Sequence, residues 1–263
     1  MLKIGKRSFL TFIKRITKKE NYIALIRFFK VHKSPLKSIL NEIFSSGKYP
    51  RILSFNSPVG DSKVNLYSYN DFSTFNLIFC RQDYLYGDKQ KIVLDIGSNI
   101  GLSSIFWLTR SKDTVVHCYE PSSENYEKLK KNLKDFDGRF SIFKKAVSSK
   151  TFSSFLNLEK SGVYNSINNS NKSKNYFEKE KCDVVSINSC IEKIIKQYGK
   201  IDIIKIDNEG EELKTVAAID KKFWEYIACI NVDGSSVREY VPRIFNLTRL
   251  GSAQRYYKNG FRN

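Results

Sequence analysis

An α/β fold, with a mostly parallel sheet covered by helices on both faces, is predicted by three observations. From residue 91 onward short apolar runs alternate with amphipathic helical stretches. A turn bearing two glycines joins the first of those runs directly to a helix. Two later runs end in carboxylates, at the edge where open α/β sheets bind ligands. The chain has 263 residues, 41% hydrophobic and 14% aromatic, which is enough for a core without staples and excludes both a disordered chain and a disulfide mini-protein.

Residues 1–50 hold 12 Lys and Arg against Glu20 and Glu42, so this segment carries +10 of the total +18. Its apolar residues recur at i, i+3, i+4, i+7 three times: Phe9, Phe12, Ile13, Ile16; Tyr22, Leu25, Ile26, Phe29; and Leu36, Ile39, Leu40, Ile43. Ser34 suits the N-cap of the third helix, Pro35 its first position and Gly47 the chain beyond its end. The segment 1–50 is read as a basic amphipathic helical cap. Its apolar face has two uses, packing on the main domain or, through residues 1–33, peripheral contact with an anionic membrane.

Residues 96–109, the longest uncharged stretch, include Gly, Ser and Asn and are too few to span a bilayer, so neither a transmembrane helix nor a cleavable signal is expected. Five cysteines without a CxxC pair read as reduced core residues of a cytoplasmic protein, peripheral at most to the inner face of the membrane. Two separated histidines, His32 and His117, argue against a zinc site, and no metal is assigned.

Residues 51–90 are expected to form a short hairpin and connecting region, from apolar runs at 52–55, 64–67 and 75–80. The domain over 91–263 has strand patterns at 92–96, 115–119, 141–144, 184–187, 201–206 and 227–232, with helical patterns at 123–136, 188–198 and 211–219. A Ser-, Asn- and Lys-rich stretch at 161–181 reads as a mobile insertion above the active edge.

The first strand of this domain ends in Asp95 and runs into Gly97, Ser98, Asn99, Ile100 and Gly101. Such a turn lets backbone approach a ligand and points helix amides at it, but its spacing is GxxxG and not the GxGxxG of a dinucleotide site. The second strand ends in Glu120 followed by Pro121, an acid placed to accept hydrogen bonds from ribose hydroxyls. A third cluster runs from Lys205 through Asp207, Asn208, Glu209 and Gly210 to Glu211 and Glu212. Asp207, then Glu209, are the candidate catalytic groups to orient a hydroxyl or take its proton, while Glu211 and Glu212 suit helix capping. His117 lies within a strand and reads as a core residue.

These motifs, residues 95–101, Tyr119-Glu120-Pro121 with Asn125 and Leu129, and residues 203–212, resemble those of the FkbM family, a branch of the class I methyltransferases. The resemblance implies a Rossmann-like sheet, S-adenosylmethionine as cofactor, and methylation of a hydroxyl on a sugar, glycan or secondary metabolite. Carried over by position, Asp95, Gly97 and Gly101 surround the methionine portion and Glu120 the ribose. The segment near Ala146 borders the adenine, and Ser98, Asn99 and Pro121 complete the cofactor set. Asp207 and Glu209 face the acceptor. Two departures stand out: residues 231–263 show little of the family's final strand pair, and Asn231 and Asp233 replace the family's acid and histidine. Rival readings are an RNA methyltransferase, a degenerate nucleoside-binding protein without turnover, and a nicotinamide-dependent dehydrogenase. The charge is concentrated away from the catalytic strands, so no specific nucleic acid is expected as partner.

Overall fold

The computed structural model describes residues 3–4, 7–8, 19–44, 47–87, 89–159, 162, 165–167, 176–234 and 236–261. The expected helix with Phe9, Phe12, Ile13 and Ile16 lies outside them. The chain forms two compact units, Met1–Asp83 and Tyr84–Asn263.

In the first unit β1 (Lys3–Ile4) and β2 (Arg7–Ser8) form a small antiparallel ribbon. Two helices follow, α1 (Lys19–Val31) and α2 (Pro35–Phe44), then a hairpin of β3 (Arg51–Ser57) and β4 (Gly60–Leu66). Helix α3 (Tyr69–Phe75) starts at a capping box of Ser68 and Asp71 and runs on into a π-helical segment, Asn76–Arg81. The apolar run 75–80, expected as extended chain, is therefore helical. Phe72, Phe75 and Phe79 fall at helical spacing, and all three rings are buried. Phe75 and Phe79 stack at 4.2 Å and meet Phe55 of β3 edge-on. Helix α1 joins this aromatic core through Phe28 and His32, whose rings lie 4.0 Å apart. His32 Nε2 bonds Asn76 Oδ1 at 2.8 Å. Burial, which outweighs that bond, pushes the His32 pKa down to about 4, so the ring is a neutral core member. The stripe of Tyr22, Leu25, Ile26 and Phe29, for which the sequence left two uses open, is 42–59% exposed.

In the second unit a seven-stranded sheet is built from β5 (Ile92–Ile96), β6 (Val115–Tyr119), β7 (Phe140–Phe143), β11 (Ile201–Ile206), β12 (Ile227–Asp233), β13 (Asn246–Leu250) and β14 (Ala253–Tyr257). Its order is β13-β14-β12-β11-β5-β6-β7. All pairs from β12 to β7 are parallel, and β14 runs antiparallel to both of its neighbours. The chain builds outward from β5 in one direction and resumes at β11 in the other, which opens a crevice at the carboxyl ends of β5 and β11. Helices α4 (Leu102–Leu108), α5 (Ser123–Leu133), α6 (Ile187–Tyr198) and α7 (Glu212–Ala217) connect the strands. The core packs Ile96, Ile204, Ile206 and Ile230 with Ile187, Ile191 and Ile194 of α6.

Two expectations are corrected here. The terminal stretch, read as lacking strands, supplies β13 and β14 and completes the sheet. Of the run 184–187, read as a strand of the main sheet, residues 184–186 end a long strand β10 (Tyr176–Ser186) of a separate three-stranded sheet with β8 (Ala146–Ser148) and β9 (Phe152–Glu159), and Ile187 opens α6. Residues 176–181 of the expected insertion thus belong to β10. Of the rest of that insertion, Gly162 and residues 165–167 are described, and Asn157 of β9 pairs with Ser166.

Candidate active site

The crevice brings together the tips of β5, β6 and β11, and a single backbone approach fixes their spacing. Gly97 has φ +73°, and a Cβ built on it would lie 1.8 Å from the carbonyl oxygen of Asp207. Asp207 N–H in turn donates to Ile96 O at 3.2 Å. Only glycine lets the turn after β5 rest against the tip of β11. At the far end of the turn Gly101, φ +93°, starts α4, where a Cβ would meet Leu129 Cδ1 at 2.7 Å.

The five amides of the turn are paired inside the protein. Gly97 and Ser98 both donate to Tyr119 O, Asn99 donates to Glu120 Oε2 at 2.8 Å, Ile100 to Asn99 Oδ1, and Gly101 to Ser98 O. Asn99 reaches its acceptor by adopting φ +49°. With these five amides satisfied inside the protein, the turn offers no nest for a phosphate.

Glu120 is buried and accepts from the amides of Asn99 and, at 3.0 Å, Ser122. Burial, only partly offset by those amides, pushes its carboxyl up to about 7. Pro121, half-buried, leads into Ser122, the N-cap of α5. Ala146 is buried with Leu156, Cys182 and Val184 in the small core of the second sheet. Its methyl group therefore packs in that core, and β8 meets the site through backbone, with Val147 O accepting from Asn208 Nδ2 at 2.9 Å.

The sequence reading gave no role to the group at the centre. Lys205 leaves 3% of its side chain exposed, and its Nζ donates to Gly97 O at 2.6 Å and Ile96 O at 3.2 Å. The same ammonium lies 3.3 Å from Asp207 Oδ2 and 3.6 Å from Asp95 Oδ1. It ties Asp95, the glycine turn and the candidate base into one network. Burial disfavours the charged amine, yet Asp207 and Asp95 outweigh it and hold Lys205 above its ordinary pKa. Asp95 Oδ2 also accepts from Ser103 and Ser104 at 2.7 and 2.5 Å. The signal for Lys205 was a lone charge within the apolar run IDIIKI, since a strand buried on both faces must pair it.

Asp207 keeps 29% of its side chain open to solvent. Desolvation at the sheet edge raises its pKa; Lys205 pulls it down, while Asp233 and Asp95 add to the rise. The five carboxylates between 202 and 212 separate by task. Asp202 sits at the opposite end of β11, clamping the amides of Lys91 and Ile92. Glu211 accepts from Ser148 and Lys214, and Glu212 accepts from the amides of Asn208 and Gly210. Asp207 and Glu209 remain at the tip. Glu209 takes the left-handed conformation, φ +52°, and its carbonyl accepts from Ser166 Oγ at 2.6 Å. His117 faces α6, edge-on to Tyr198 at 5.5 Å, and burial followed by Lys193 lowers its pKa to about 4. Asn231, noted above as a departure, is fully buried and binds the backbone of Leu85, its Oδ1 accepting at 3.0 Å. Among the described residues no group of His, Cys, Asp and Glu is arranged to hold a metal ion.

Several solved structures are similar to the chain. An O-methyltransferase from Bacillus cereus in complex with S-adenosylhomocysteine is 13% identical over 65% of this chain and 76% of its own, with a TM-score of 0.39. TrmK from M. capricolum, in complex with the same cofactor product, is 13% identical over 68% of this chain and 66% of its own, with a TM-score of 0.36. Precorrin-6y C5,15-methyltransferase from Geobacter metallireducens is 10% identical over 67% and 83%, with a TM-score of 0.36. No match is found among curated proteins. The family described as "Methyltransferase FkbM domain" matches residues 95–240, from Asp95 at the tip of β5 past the end of β12. That match takes in more than half of the chain, including the glycine turn, Glu120, Lys205 and Asp207, and the chain belongs to the FkbM methyltransferase family.

Proposed function

We propose that this methyltransferase acts on a hydroxyl oxygen, of a sugar, glycan or secondary metabolite, with Glu120 holding the cofactor and Asp207 serving the acceptor. The observation that carries the reading is the crevice edge itself. It combines a glycine turn with five internally paired amides and the carboxylates of Asp95, Glu120 and Asp207. Such an edge suits a cationic, ribose-bearing ligand and offers a pyrophosphate nothing to bind.

S-adenosylmethionine, the cofactor, supplies when bound a methyl group already activated on a sulfonium. The protein's tasks are then to bind, align and deprotonate. Each Glu120 oxygen already accepts one amide and keeps a lone pair for a ribose hydroxyl. Asp95, Gly97, Ser98, Asn99 and Gly101 would line the methionine side, where the two glycines keep the wall free of side chains. Pro121 and the backbone at Ala146 would border the base. Asp207 takes the proton of the acceptor hydroxyl, for which a raised pKa makes it the stronger base at neutral pH. Lys205 keeps that carboxylate ionised and fixed, and Glu209, two residues on, orients the acceptor.

Calorimetry with S-adenosylhomocysteine tests the division of labour. Glu120→Ala should weaken binding by about 1.5–3 kcal/mol, through loss of charge-assisted hydrogen bonds. Asp207→Asn should leave that affinity nearly unchanged while lowering methyl transfer to a responsive hydroxyl acceptor by about two orders of magnitude. Equal affinity for parent and Glu120→Ala removes Glu120 from the ribose site, and intact turnover in Asp207→Asn sends the base search to Glu209.

A further inference from the structure

Helix α1 carries more apolar surface than its unit buries. Its inward face is anchored by Phe28, with His32 just past the helix end, against the aromatic core, which leaves Tyr22, Leu25, Ile26 and Phe29 as a second, outward stripe. Helix α2 repeats the arrangement, with Leu36, Leu40 and Phe44 at i, i+4, i+8 and 55–72% exposed. Two helices in succession thus present long aliphatic and aromatic side chains outward, where single exposed residues would be unremarkable. Cations flank both stripes: Lys30 follows Phe29, Lys37 follows Leu36, and both lysines are exposed.

Charge decides among the occupants such a surface could take. Residues 1–83 carry +10 and residues 84–263 carry +8, so a second copy or the catalytic unit would bring like charge to it. A nucleic-acid backbone matches the lysines but has no use for seven outward Tyr, Leu, Ile and Phe side chains. An anionic bilayer matches both, because it takes apolar side chains into the headgroup boundary and holds lysines at its charged surface. We propose that the outward faces of α1 and α2 are a docking surface for anionic lipid, which seats the enzyme at a membrane and gives it access to lipid-borne acceptors.

Vesicle flotation of the full-length protein tests this without any methyl acceptor, so it stands apart from the test of the catalytic reading. The protein should float with phosphatidylcholine vesicles containing phosphatidylglycerol at low salt, detach as salt rises, and stay behind with phosphatidylcholine alone. Leu36→Ser/Leu40→Ser, and separately Ile26→Ser/Phe29→Ser, should each reduce flotation by about tenfold or more. Both pairs are exposed, and an unchanged melting temperature confirms that the variants fold. Failure of the parent to float at low salt overturns the proposal, as does flotation that survives both double substitutions. A homopolymeric RNA bound equally by parent and variants, without flotation, assigns the cations to nucleic acid instead. A dimer in sedimentation that both variants disperse, again without flotation, assigns the stripes to a second copy.

Discussion

Helices α1 and α6 are written in the same pattern and end in opposite environments. Tyr22, Leu25, Ile26 and Phe29 on α1 and Ile187, Cys190, Ile191 and Ile194 on α6 share the spacing i, i+3, i+4, i+7. On α6 every one of the four is buried against the sheet; on α1 every one is exposed. Periodicity establishes that a helix has an apolar face, and it says nothing about what covers that face. Composition carries the missing information. Helix α6 has Ser186 as N-cap and a polar opposite face, so its stripe is its only docking surface. Helix α1 carries Phe28 beside the stripe, with His32 just past its end, and those residues fill the aromatic core of the first unit.

The same contrast holds for charges, and there it predicts the largest effect. Lys205, enclosed by four oxygens, should not tolerate Lys205→Met. Loss of the ammonium leaves Asp95 and Asp207 without their cation and should cost about 3–5 kcal/mol. The exposed Lys30→Met should change stability by less than about 0.5 kcal/mol. Urea unfolding followed by tryptophan fluorescence resolves the first case, because Trp107 and Trp224, the chain's two tryptophans, both lie in the second unit. The cost should shrink in acid, where Asp207, whose pKa is raised, protonates. A loss that does not vary with pH would mean that packing of the lysine stem dominates.

Next in size is the buried stripe. Ile191→Ala removes a fully enclosed side chain from the contact between α6 and the sheet and should cost about 2–5 kcal/mol by the same fluorescence readout. A cost below about 1 kcal/mol would show that α6 closes over the cavity and that the comparison with α1 is one of degree.

How far the fold could be read from sequence follows the same logic. Strands β5, β6, β11 and β12 were legible because both of their faces are buried, which writes continuous apolar runs. Strands β13 and β14 were not, since NLTRL and AQRYY carry arginines that partly exposed positions allow. A cue was nonetheless present in Gly251-Ser252, a two-residue glycine turn between them, with Gly251 at φ +61°. In the site, Asp95, Glu120 and Asp207 were legible as acids at strand tips. Ser103 and Ser104 were not, because a hydroxyl in the first turn of a helix has many uses, and the backbone contact between Gly97 and Asp207 joins residues that sequence distance conceals.

A smaller effect separates the units by pH. Glu120, raised from 4.5 to about 7, binds a proton in the native state that the unfolded chain has released, so its contribution to stability is present below pH 4.5 and lost as pH rises through 7. His117, lowered from 6.5 to about 4, acts in the opposite sense: its contribution is present above pH 6.5 and lost as pH falls through 4. Each is worth at most about 3 kcal/mol, and within the second unit the two offset one another between pH 4.5 and 6.5. Glu120→Gln should therefore make stability climb more steeply across that window than in the parent, while Asp207 and Glu212, also raised, act alike in both. In the first unit His32, also lowered to about 4, has no such counterpart among the buried groups with resolved shifts. Hydrogen exchange of the α1 amides should accordingly show that unit tightening from pH 4.5 to 6.5 once intrinsic exchange rates are taken into account. A profile in the Glu120→Gln variant no steeper than the parent's would mean that Glu120 does not hold its proton in the fold.

The smallest expected effect is the most direct probe of the contrast. Ile26→Ala, on the outward stripe of α1, removes the same atoms as Ile191→Ala but opens no cavity, so only helix propensity and a little residual burial change. Alanine is the better helix former, and the net effect should lie within about 0.5 kcal/mol of zero. Exchange of α1 amides, rather than tryptophan fluorescence, is the readout that can see it. If Ile26→Ala instead costs 2 kcal/mol or more on the scale expected for buried isoleucines, the stripe is covered in solution and the two helices differ only in what covers them. Adding anionic vesicles then separates the possibilities: a stripe free in solution should gain exchange protection with lipid in the parent and less in Ile26→Ala, whereas a stripe already covered should gain none in either.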